Sequence, residues 1–304
     1  MTDHDQRHEH RAEVLLLFVV VIWAANYPLA KWGISGMNVF VFNAIRFIVA
    51  AFIVVGVFLH RSQWIPVAKD DWRKFVNAGF IANVAYQIIF LLGLSMTTAG
   101  NSAVLLSTSP LWTIFLDAKI HKQPISRRMW IGMALSLCGV TMIIFGSGKQ
   151  FDFGAHALIG DLIMLTAAII WGLNTTLQKP LLVHYSVLQV TTMMMIVGAI
   201  GLSLAAIPAS ISFRWSETHW TYYAAAITSG ALSIGVGNIL WTNGVKRLGP
   251  GRTANFNNLV PVLAVVISSL SLHEEISAIQ IPGIGITMLG VWVARGKNQF
   301  KSQN

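Results

Sequence analysis

Long apolar segments and short polar ones alternate along almost the whole chain. Ten apolar runs can be marked off, each close to the roughly 20 residues that a helix needs to cross a bilayer. Lipid offers no hydrogen-bond partner to an open backbone, so each run is expected to be a helix. The pattern therefore predicts an all-α integral membrane protein with ten transmembrane helices, at residues 14–34, 39–60, 75–95, 99–119, 129–146, 157–178, 186–206, 219–245, 253–272 and 276–294.

Composition supports this interpretation. Of the 304 residues, 55% are hydrophobic and only 11% are charged, and the mean hydropathy is +0.63. A soluble domain of this length carries more charge and could not bury so much apolar surface. The leader, residues 1–13, contains acids as well as bases, and no convincing small-residue cleavage site follows it. We therefore expect the first run to be retained as a span and not removed as a signal peptide.

The net charge of +9 is explained by the orientation of the spans. If the N-terminus lies in the cytoplasm, 17 of the 21 Lys and Arg residues fall on that side and three fall on the other. This asymmetry follows the positive-inside rule and predicts that both termini are cytoplasmic. No nucleic-acid partner is expected.

The sequence also repeats itself at a nearly constant offset. Trp23 and Asn26 recur 148 residues later as Trp171 and Asn174. Further along the chain the offset is 151, and the matched pairs include Gly93 with Gly244, Pro110 with Pro261, Gly132 with Gly283, and Gly139 with Gly290. A single pair could arise by chance, but a nearly constant offset over several spans indicates an internal repeat.

The repeat predicts two units of five spans, residues 14–148 and 155–294, with cytoplasmic tails at 1–13 and 295–304. Because five is an odd number, the second unit enters the membrane from the opposite side. Inverted repeats of this kind are typical of secondary transporters, whose binding site lies where the two repeats meet.

These features resemble those of a known family. Two five-span units, an early Trp-x-x-Asn in each, an internal proline and the closing pattern from Leu272 to Val291 are similar to the drug/metabolite transporter superfamily, EamA type. The resemblance covers nearly the whole chain and implies a ten-helix exporter of small metabolites, multi-pass in a bacterial cytoplasmic (inner) membrane. Within that superfamily, the chain resembles the bacterial exporters of aromatic and other neutral amino acids. The first unit departs from the closing pattern, because Gln123 and Pro124 stand where the second has Glu274 and Glu275.

Amide and aromatic side chains share particular faces of the first, third, sixth and eighth helices at helical spacing. Amides need partners in lipid, so these faces are expected to point into the bundle. Hydrogen bonding between helices is one interpretation. The other is a central cavity that binds a solute, and the residues it would use are Trp23, Asn26, Tyr27, Asn83, Tyr86, Gln87, Trp171, Asn174, Asn238 and Trp241.

Pro110 and Pro261 interrupt the fourth and ninth helices at matching positions. A proline has no N–H for the carbonyl one turn earlier, so each helix is expected to kink or open there. Broken helices at corresponding places in two repeats are a useful indication of a binding site, although a passive kink is the alternative. The residues near these breaks that we predict to bind the solute are Asn101, Thr108, Trp112, Asn255 and Asn258.

Arg46 lies about eight residues inside the second predicted span. A cation at that depth usually faces the bundle interior, because exposure to lipid is costly. It could brace neighbouring helices, or it could bind an anionic group of the solute.

Other chemistry is missing from the spans. The carboxylates of Asp117, Asp161, Glu274 and Glu275 lie at span ends, and all nine histidines lie in tails, loops or span ends. The sequence therefore predicts no proton-coupling residue, no metal site and no cofactor. A membrane enzyme would need a catalytic cluster, which is absent, and a channel or sensor is a further alternative.

We thus predict a secondary transporter that exports neutral or aromatic amino acids by alternating access. Its partners would be a small solute and the lipid bilayer, and the expected state is a monomer, with a homodimer as the alternative. A carrier of phosphorylated metabolites or nucleotide sugars is the second hypothesis. Those anions call for more than one cation in the cavity, and only Arg46 is available.

Overall fold

The computed structural model of the protein describes residues 3–61, 64–120, 127–146, 155–256, 259–273 and 276–294. Over these residues the chain is helical throughout and contains no strand. The α-helices are α1 (Asp3–Ser35), α2 (Val39–Arg61), α3 (Lys69–Gly79), α4 (Tyr86–Met96), α5 (Ala99–Leu106), α6 (Ser109–Ile120), α7 (Arg127–Gly146), α8 (Ala155–His184), α9 (Val187–Ser212), α10 (Trp220–Thr228), α11 (Gly237–Phe256), α12 (Leu259–Leu272) and α13 (Gln280–Ala294).

Seven stretches in the described ranges are long and apolar enough to cross a membrane. They are Ala12–Ser35, Val39–Arg61, Lys69–Met96, Ala99–Ile120, Ala157–His184, Val187–Ser212 and Trp220–Gly244. The other three predicted spans coincide with shorter apolar helices, Trp130–Gly139, Leu259–Leu272 and Gln280–Val293. The prediction of an all-helical, multi-pass membrane protein is therefore confirmed.

Two helices extend beyond the apolar runs that the sequence predicts to span the membrane. Helix α1 begins at Asp3, so the segment assigned to an N-terminal tail continues the first helix. Helix α11 runs to Phe256 and continues through residues 246–252, the polar gap between the eighth and ninth predicted spans. This part of α11 contains Gly249, Pro250 and Gly251, and glycine and proline are tolerated in helices of membrane proteins because neighbouring groups satisfy the backbone.

Two helical segments have π geometry, and they occupy matching places in the sequence. Phe80–Ala85 joins α3 to α4, and Ser229–Val236 joins α10 to α11. Both segments end at residues that are 151 positions apart, the same offset as the sequence repeat. Short π segments inside α-helices are frequent at functional sites, because the extra residue per turn re-aims the side chains that follow.

The fourth predicted span is divided at the expected place. Helix α5 ends at Leu106 and α6 begins at Ser109, so Pro110 stands in the first turn of α6, where a missing N–H is tolerated. The hydroxyls of Ser107 and Thr108 donate to carbonyls of the preceding turn at 2.6 and 2.7 Å. In the second half, α12 begins at Leu259 with Pro261 in its first turn, and residues 257–258 lie outside the described ranges.

Helices α7 and α13 pack closely through glycines. A Cβ placed on Gly139 would collide with the backbone of Thr287, and one placed on Gly290 would collide with the backbone of Ser136. Each residue here is matched by the one 151 positions away, so the two contacts are reciprocal, and the helices run antiparallel. Small residues allow such close approach in a membrane, where van der Waals packing drives association.

Substitution of Gly139 or Gly290 by Leu is expected to destabilise the bundle. The added side chain would meet backbone atoms that cannot move aside, and overpacking of this kind costs about 1–3 kcal/mol. Gly285 is the matched control, because a Cβ there has nothing within 4 Å. We expect a lower Tm in detergent for Gly139→Leu and Gly290→Leu than for Gly285→Leu. Equal Tm values in all three variants would contradict the packing argument.

Candidate functional site

A cavity lies between helices of the two halves. Its volume is about 100 Å³, while a single water molecule needs roughly 10–15 Å³ by the same kind of measure. The cavity thus has room for a small organic molecule or several waters. Eleven of the residues predicted to bind a solute or break a helix line it, namely Trp23, Asn26, Tyr27, Arg46, Asn83, Tyr86, Gln87, Trp171, Asn174, Asn238 and Pro261.

One wall of the cavity is aromatic. Trp171 packs edge-on against Trp23 at 6.3 Å between ring centroids and lies 4.9 Å from Tyr86. Phe90 lies 5.7 Å from both Tyr86 and Tyr27. Aromatic rings of this kind offer apolar surface to a side chain and a negative face to a cation.

The tryptophan of α1 is held in place by the second half of the chain. Its indole N–H donates to the carbonyl of Ser233 at 3.1 Å, and its ring lies 4.9 Å from that of Trp241. Trp241 was predicted to touch the solute, but the structure places it behind Trp23 and not among the residues that line the cavity. It supports the aromatic wall from outside.

Arg46 supplies the positive charge of the cavity. It lines the cavity with only 1% of its surface exposed. Its Nε donates to the hydroxyl of Ser229 at 2.8 Å, and its Nη1 donates to the side-chain oxygens of Asn43 at 3.1 Å and Gln87 at 3.2 Å. Ser229 in turn donates to Asn26 Oδ1 at 2.5 Å. The guanidinium is therefore oriented by three neutral acceptors on α2, α4 and the second π segment.

No carboxylate takes part in this network. Every hydrogen bond that Arg46 makes within the described part of the chain goes to a hydroxyl or an amide oxygen, and its second amino group, Nη2, makes none. Neutral acceptors leave the full charge of the guanidinium in place. A buried cation of this kind attracts an anion, because charge-assisted hydrogen bonds in a poorly hydrated site are among the stronger polar contacts.

Only the first half of the chain contributes a charged side chain to the described lining of the cavity. The residue 148 positions after Arg46 is Met194, which also lines the cavity and whose carbonyl accepts from Asn83 Nδ2 at 2.7 Å. The backbone around both residues is contacted in the same way, since Gly230 packs on Arg46 and Gly79 packs on Met194. The two walls thus have similar shape but different chemistry.

Several predicted residues lie away from the cavity. Thr108 is buried, and its hydroxyl accepts from the indole N–H of Trp112 at 3.3 Å, so these two bond to each other next to the helix break. Asn101 belongs to a separate polar network at one end of the bundle. Pro110 is buried in α6 but does not line the cavity. The side chain of Asn255 and the whole of Asn258 lie outside the described part of the structure.

Sequence reasoning did not identify Asn43 and Ser229, which hold Arg46. Asn43 stands three residues before Arg46 on the same helix face, and that spacing was an available signal. Ser229 comes from a helix 183 residues away, and nothing in the sequence indicates that contact. No group of three His, Cys, Asp or Glu side chains that could hold a metal occurs in the described ranges.

Comparison with known proteins identifies the family. The sequence model of the EamA-like transporter family matches residues 10–145 and again residues 158–296. The chain belongs to the EamA-like transporter family. The predicted resemblance is thereby confirmed, and the protein is a transporter and not an enzyme.

Relatives support this assignment over nearly their full length. The uncharacterized transporter YetK of Bacillus subtilis is 28% identical over 93% of this chain and 86% of its own. A probable terminal-alkyne amino-acid exporter of Streptantibioticus cattleyicolor is 25% identical over 91% of this chain and 90% of its own. One solved crystal structure has a TM-score of 0.66 at 17% identity, with 94% of this chain and 96% of that chain covered, which supports the fold alone.

Proposed function

We propose that this EamA-family protein exports neutral and aromatic amino acids, or close relatives that carry one carboxylate, by alternating access through the central cavity. The observation that carries the proposal is Arg46, a buried cation in the cavity without a carboxylate partner among the residues described. The α-carboxylate of an amino acid would supply the missing anion. The aromatic wall would then receive the rest of the molecule.

The chemistry of the walls fits a zwitterion with an apolar side chain. The rings of Trp23, Tyr86 and Trp171 would pack on the side chain, and their faces would attract the ammonium group. Asn174 and Asn238 add amide groups to the same cavity. The relative named as a probable amino-acid exporter supports this substrate class.

Alternating access would use the two halves as two moving units. We propose ten membrane-spanning helices, arranged as an inverted repeat with both termini in the cytoplasm of a bacterial cell. The double match of the family model, the reciprocal glycine contacts and the matched π segments support the repeat. The basic residues on the cytoplasmic side support the orientation. We propose that the transporter works as a monomer, because residues from both halves of one chain line the cavity.

A carrier of phosphorylated metabolites is the second hypothesis, and the cavity disfavours it. Phosphate recognition usually employs several cations or bidentate arginines. Among the described residues that line the cavity, Arg46 is the only charged one. One guanidinium matches one carboxylate better than a phosphate dianion.

The proposal is tested by transport in liposomes that contain the purified protein. We expect saturable uptake of labelled Thr, Met or Phe, and competition by unlabelled amino acids. Phenylalaninol, which has the ring and the amine of Phe but no carboxylate, should compete poorly. Saturable uptake that glucose 6-phosphate inhibits but amino acids do not would instead favour the second hypothesis, and uptake proportional to concentration would favour a channel.

A further inference from the structure

A polar network connects the two halves at one end of the cavity. Lys31, near the C-terminal end of α1, donates to the backbone carbonyls of Leu94, at 3.0 Å, and Thr97. The hydroxyl of Thr97 donates to Asp161 Oδ1 in α8 at 2.5 Å. Thr97 is therefore bound by a cation of the first half on one side and by an acid of the second half on the other.

The network extends to a second helix of the second half. The side chain of Asn101 donates to Asp161 and accepts from Gln280 Nε2 of α13 at 2.9 Å. Asp161 is 2% exposed, and Thr97, Asn101 and Gln280 are 4–6% exposed. Lys31 also attracts Asp161 electrostatically. We call these five residues the Asp161 latch.

Helix ends explain why charges are used here. The turn at Thr97 and Thr98 separates the C-terminal end of α4 from the N-terminal end of α5. The carbonyl end of a helix attracts a cation and the amide end attracts an anion. Lys31 donates to carbonyls at the C-terminal end of α4, and Asp161 lies beside the N-terminal end of α5. The turn between these two helices therefore stabilises both the cation and the anion.

The latch closes the cavity toward its own end. Along α4, the fully buried Leu91 and Leu94 lie between the cavity residue Phe90 and the latch. Along α1, the fully buried Ala30 lies between Tyr27 and Lys31. Separation of the two halves at this end would break the bonds between Asp161 and the first half.

The repeat places a second acid and a second lysine at the opposite end. Adding 148 to Lys31 gives Lys179 in α8, and subtracting 148 from Asp161 gives Glu13 in α1. Lys31 stands eight residues after Trp23, and Asp161 ten residues before Trp171, which is about 12 and 15 Å along a helix. Lys179 and Glu13 stand at the same two spacings on the other side of the tryptophans.

We propose that an acid of one half and a lysine of the other form a latch at each end of the cavity, Asp161 with Lys31 and Glu13 with Lys179. The proposal rests on alternating access as proposed above. Each latch holds its own end closed, and solute passes when one latch opens while the other closes. The Asp161 latch is closed in this structure.

The two latches differ in the residues that they would contain. Two neutral partners of Asp161 are Thr97 and Asn101, and the residue matched to Asn101 by the offset of 151 is Arg252. The Glu13 latch would therefore contain more positive charge than the Asp161 latch. Weakening one latch should shift the population of states toward opening at that end, because the two states compete.

Thiol labelling of the cavity tests the proposal without a transport measurement. In a Cys138→Ser background, which removes the one native cysteine, Ser107→Cys places a thiol among the cavity residues. With the N-terminus in the cytoplasm, as proposed, the C-terminal end of α1 and the Asp161 latch lie toward the outer face of the membrane. A membrane-impermeant maleimide is therefore applied to the outer face of intact cells, and it reaches the thiol at residue 107 when the Asp161 latch is open. Asp161→Asn should label about tenfold faster than the parent, since bonds to a charged acceptor are lost, and Glu13→Gln should label more slowly.

The controls separate a latch from a general loss of structure. Glu217→Gln removes an exposed acid and should label at the parent rate. Thr97→Val removes one bond to Asp161, keeps both charges and should label at an intermediate rate, so the test does not depend on the folding of Asp161→Asn.

Two results would overturn the proposal. One is parent-rate labelling in both Asp161→Asn and Thr97→Val, and the other is faster labelling in Glu13→Gln. Because labelling reports the accessibility of the cavity and not the transport of an amino acid, the latches can be supported even if the uptake experiment finds another solute. Conversely, amino-acid uptake with unchanged labelling would reject the latches and leave the proposed function intact.

Discussion

Replacement of Arg46 by Met is expected to reduce amino-acid uptake by about 10- to 100-fold. Hydrogen bonds to a charged group contribute roughly 1.5–3 kcal/mol, and each 1.4 kcal/mol is about a tenfold change in affinity. Met is a suitable replacement because Met194 occupies the matched position of the second half and fits the same backbone surroundings. The substitution removes the charge and keeps a long, flexible side chain.

The measurement is uptake of labelled Phe by liposomes, with phenylalaninol as competitor. The wild-type protein should discriminate strongly against phenylalaninol, and Arg46→Met should lose most of that discrimination. Arg214→Met is the control, because Arg214 is exposed and pairs only with Glu217 among the described residues. If Arg46→Met folds with an unchanged half-saturating concentration for Phe, then Arg46 only braces the helices and the carboxylate assignment is wrong.

The faces that line the cavity could be predicted because they are local. Trp23, Asn26 and Tyr27 share a helix face by spacing alone, and the repeat identifies Trp171 and Asn174 as their mates. Amides and rings in lipid-spanning segments point inward for energetic reasons, so the lining followed without knowledge of the packing. The family assignment followed from the same regularities.

The contacts between halves could not be predicted in this way. Asp161 was identified as the end of a span, where a carboxylate would normally meet water. In the structure α8 begins six residues earlier, and Gly160 packs so closely on Met96 that a Cβ there would lie 2.7 Å from the Met96 Cβ. The close approach of Gly160 to Met96 helps to bury the carboxylate of Asp161. Burial at a helix end depends on which neighbour crosses it, and the sequence of one helix does not contain that information.

The position of Trp241 also could not be predicted from the sequence. The repeat matched it to Phe90, which does line the cavity. Its own ring packs at a tilt against that of Trp23 and is not among the residues that line the cavity. The corresponding place next to Trp171 holds Tyr86, while the mate of Tyr86 in the second half is Gly237. An inverted repeat predicts matching backbones, but unequal side chains decide which residue reaches the cavity.

Replacement of Gln87 by Glu should have an effect as large as removal of the arginine, by the opposite route. Gln87 Oε1 already accepts from Arg46 Nη1 at 3.2 Å, and Glu has nearly the same shape. The substitution would place a permanent carboxylate on the guanidinium and neutralise the cavity. We expect uptake of neutral amino acids to fall at least about tenfold, because the solute carboxylate would then compete with an internal ion pair.

Folding should not explain such a loss. A carboxylate beside a buried guanidinium gains a charge-assisted bond, whereas removal of one partner from a buried pair is what usually destabilises a protein. Gln87→Glu should therefore retain its Tm. Asn238→Asp is the matched control: Asn238 is the mate of Gln87 and lines the same cavity, but its amide donates to the carbonyl of Ile234 in the π segment that precedes α11.

The comparison of the two acids decides what the arginine does. An acid at residue 238 adds negative charge to the cavity without contact to the guanidinium, so it should lower uptake by simple repulsion and by a smaller factor. A much larger loss in Gln87→Glu than in Asn238→Asp would mean that Arg46 must be unpaired to bind the solute. Equal losses of uptake in the two variants would show that the cavity merely excludes anions. That result would contradict the role proposed for Arg46.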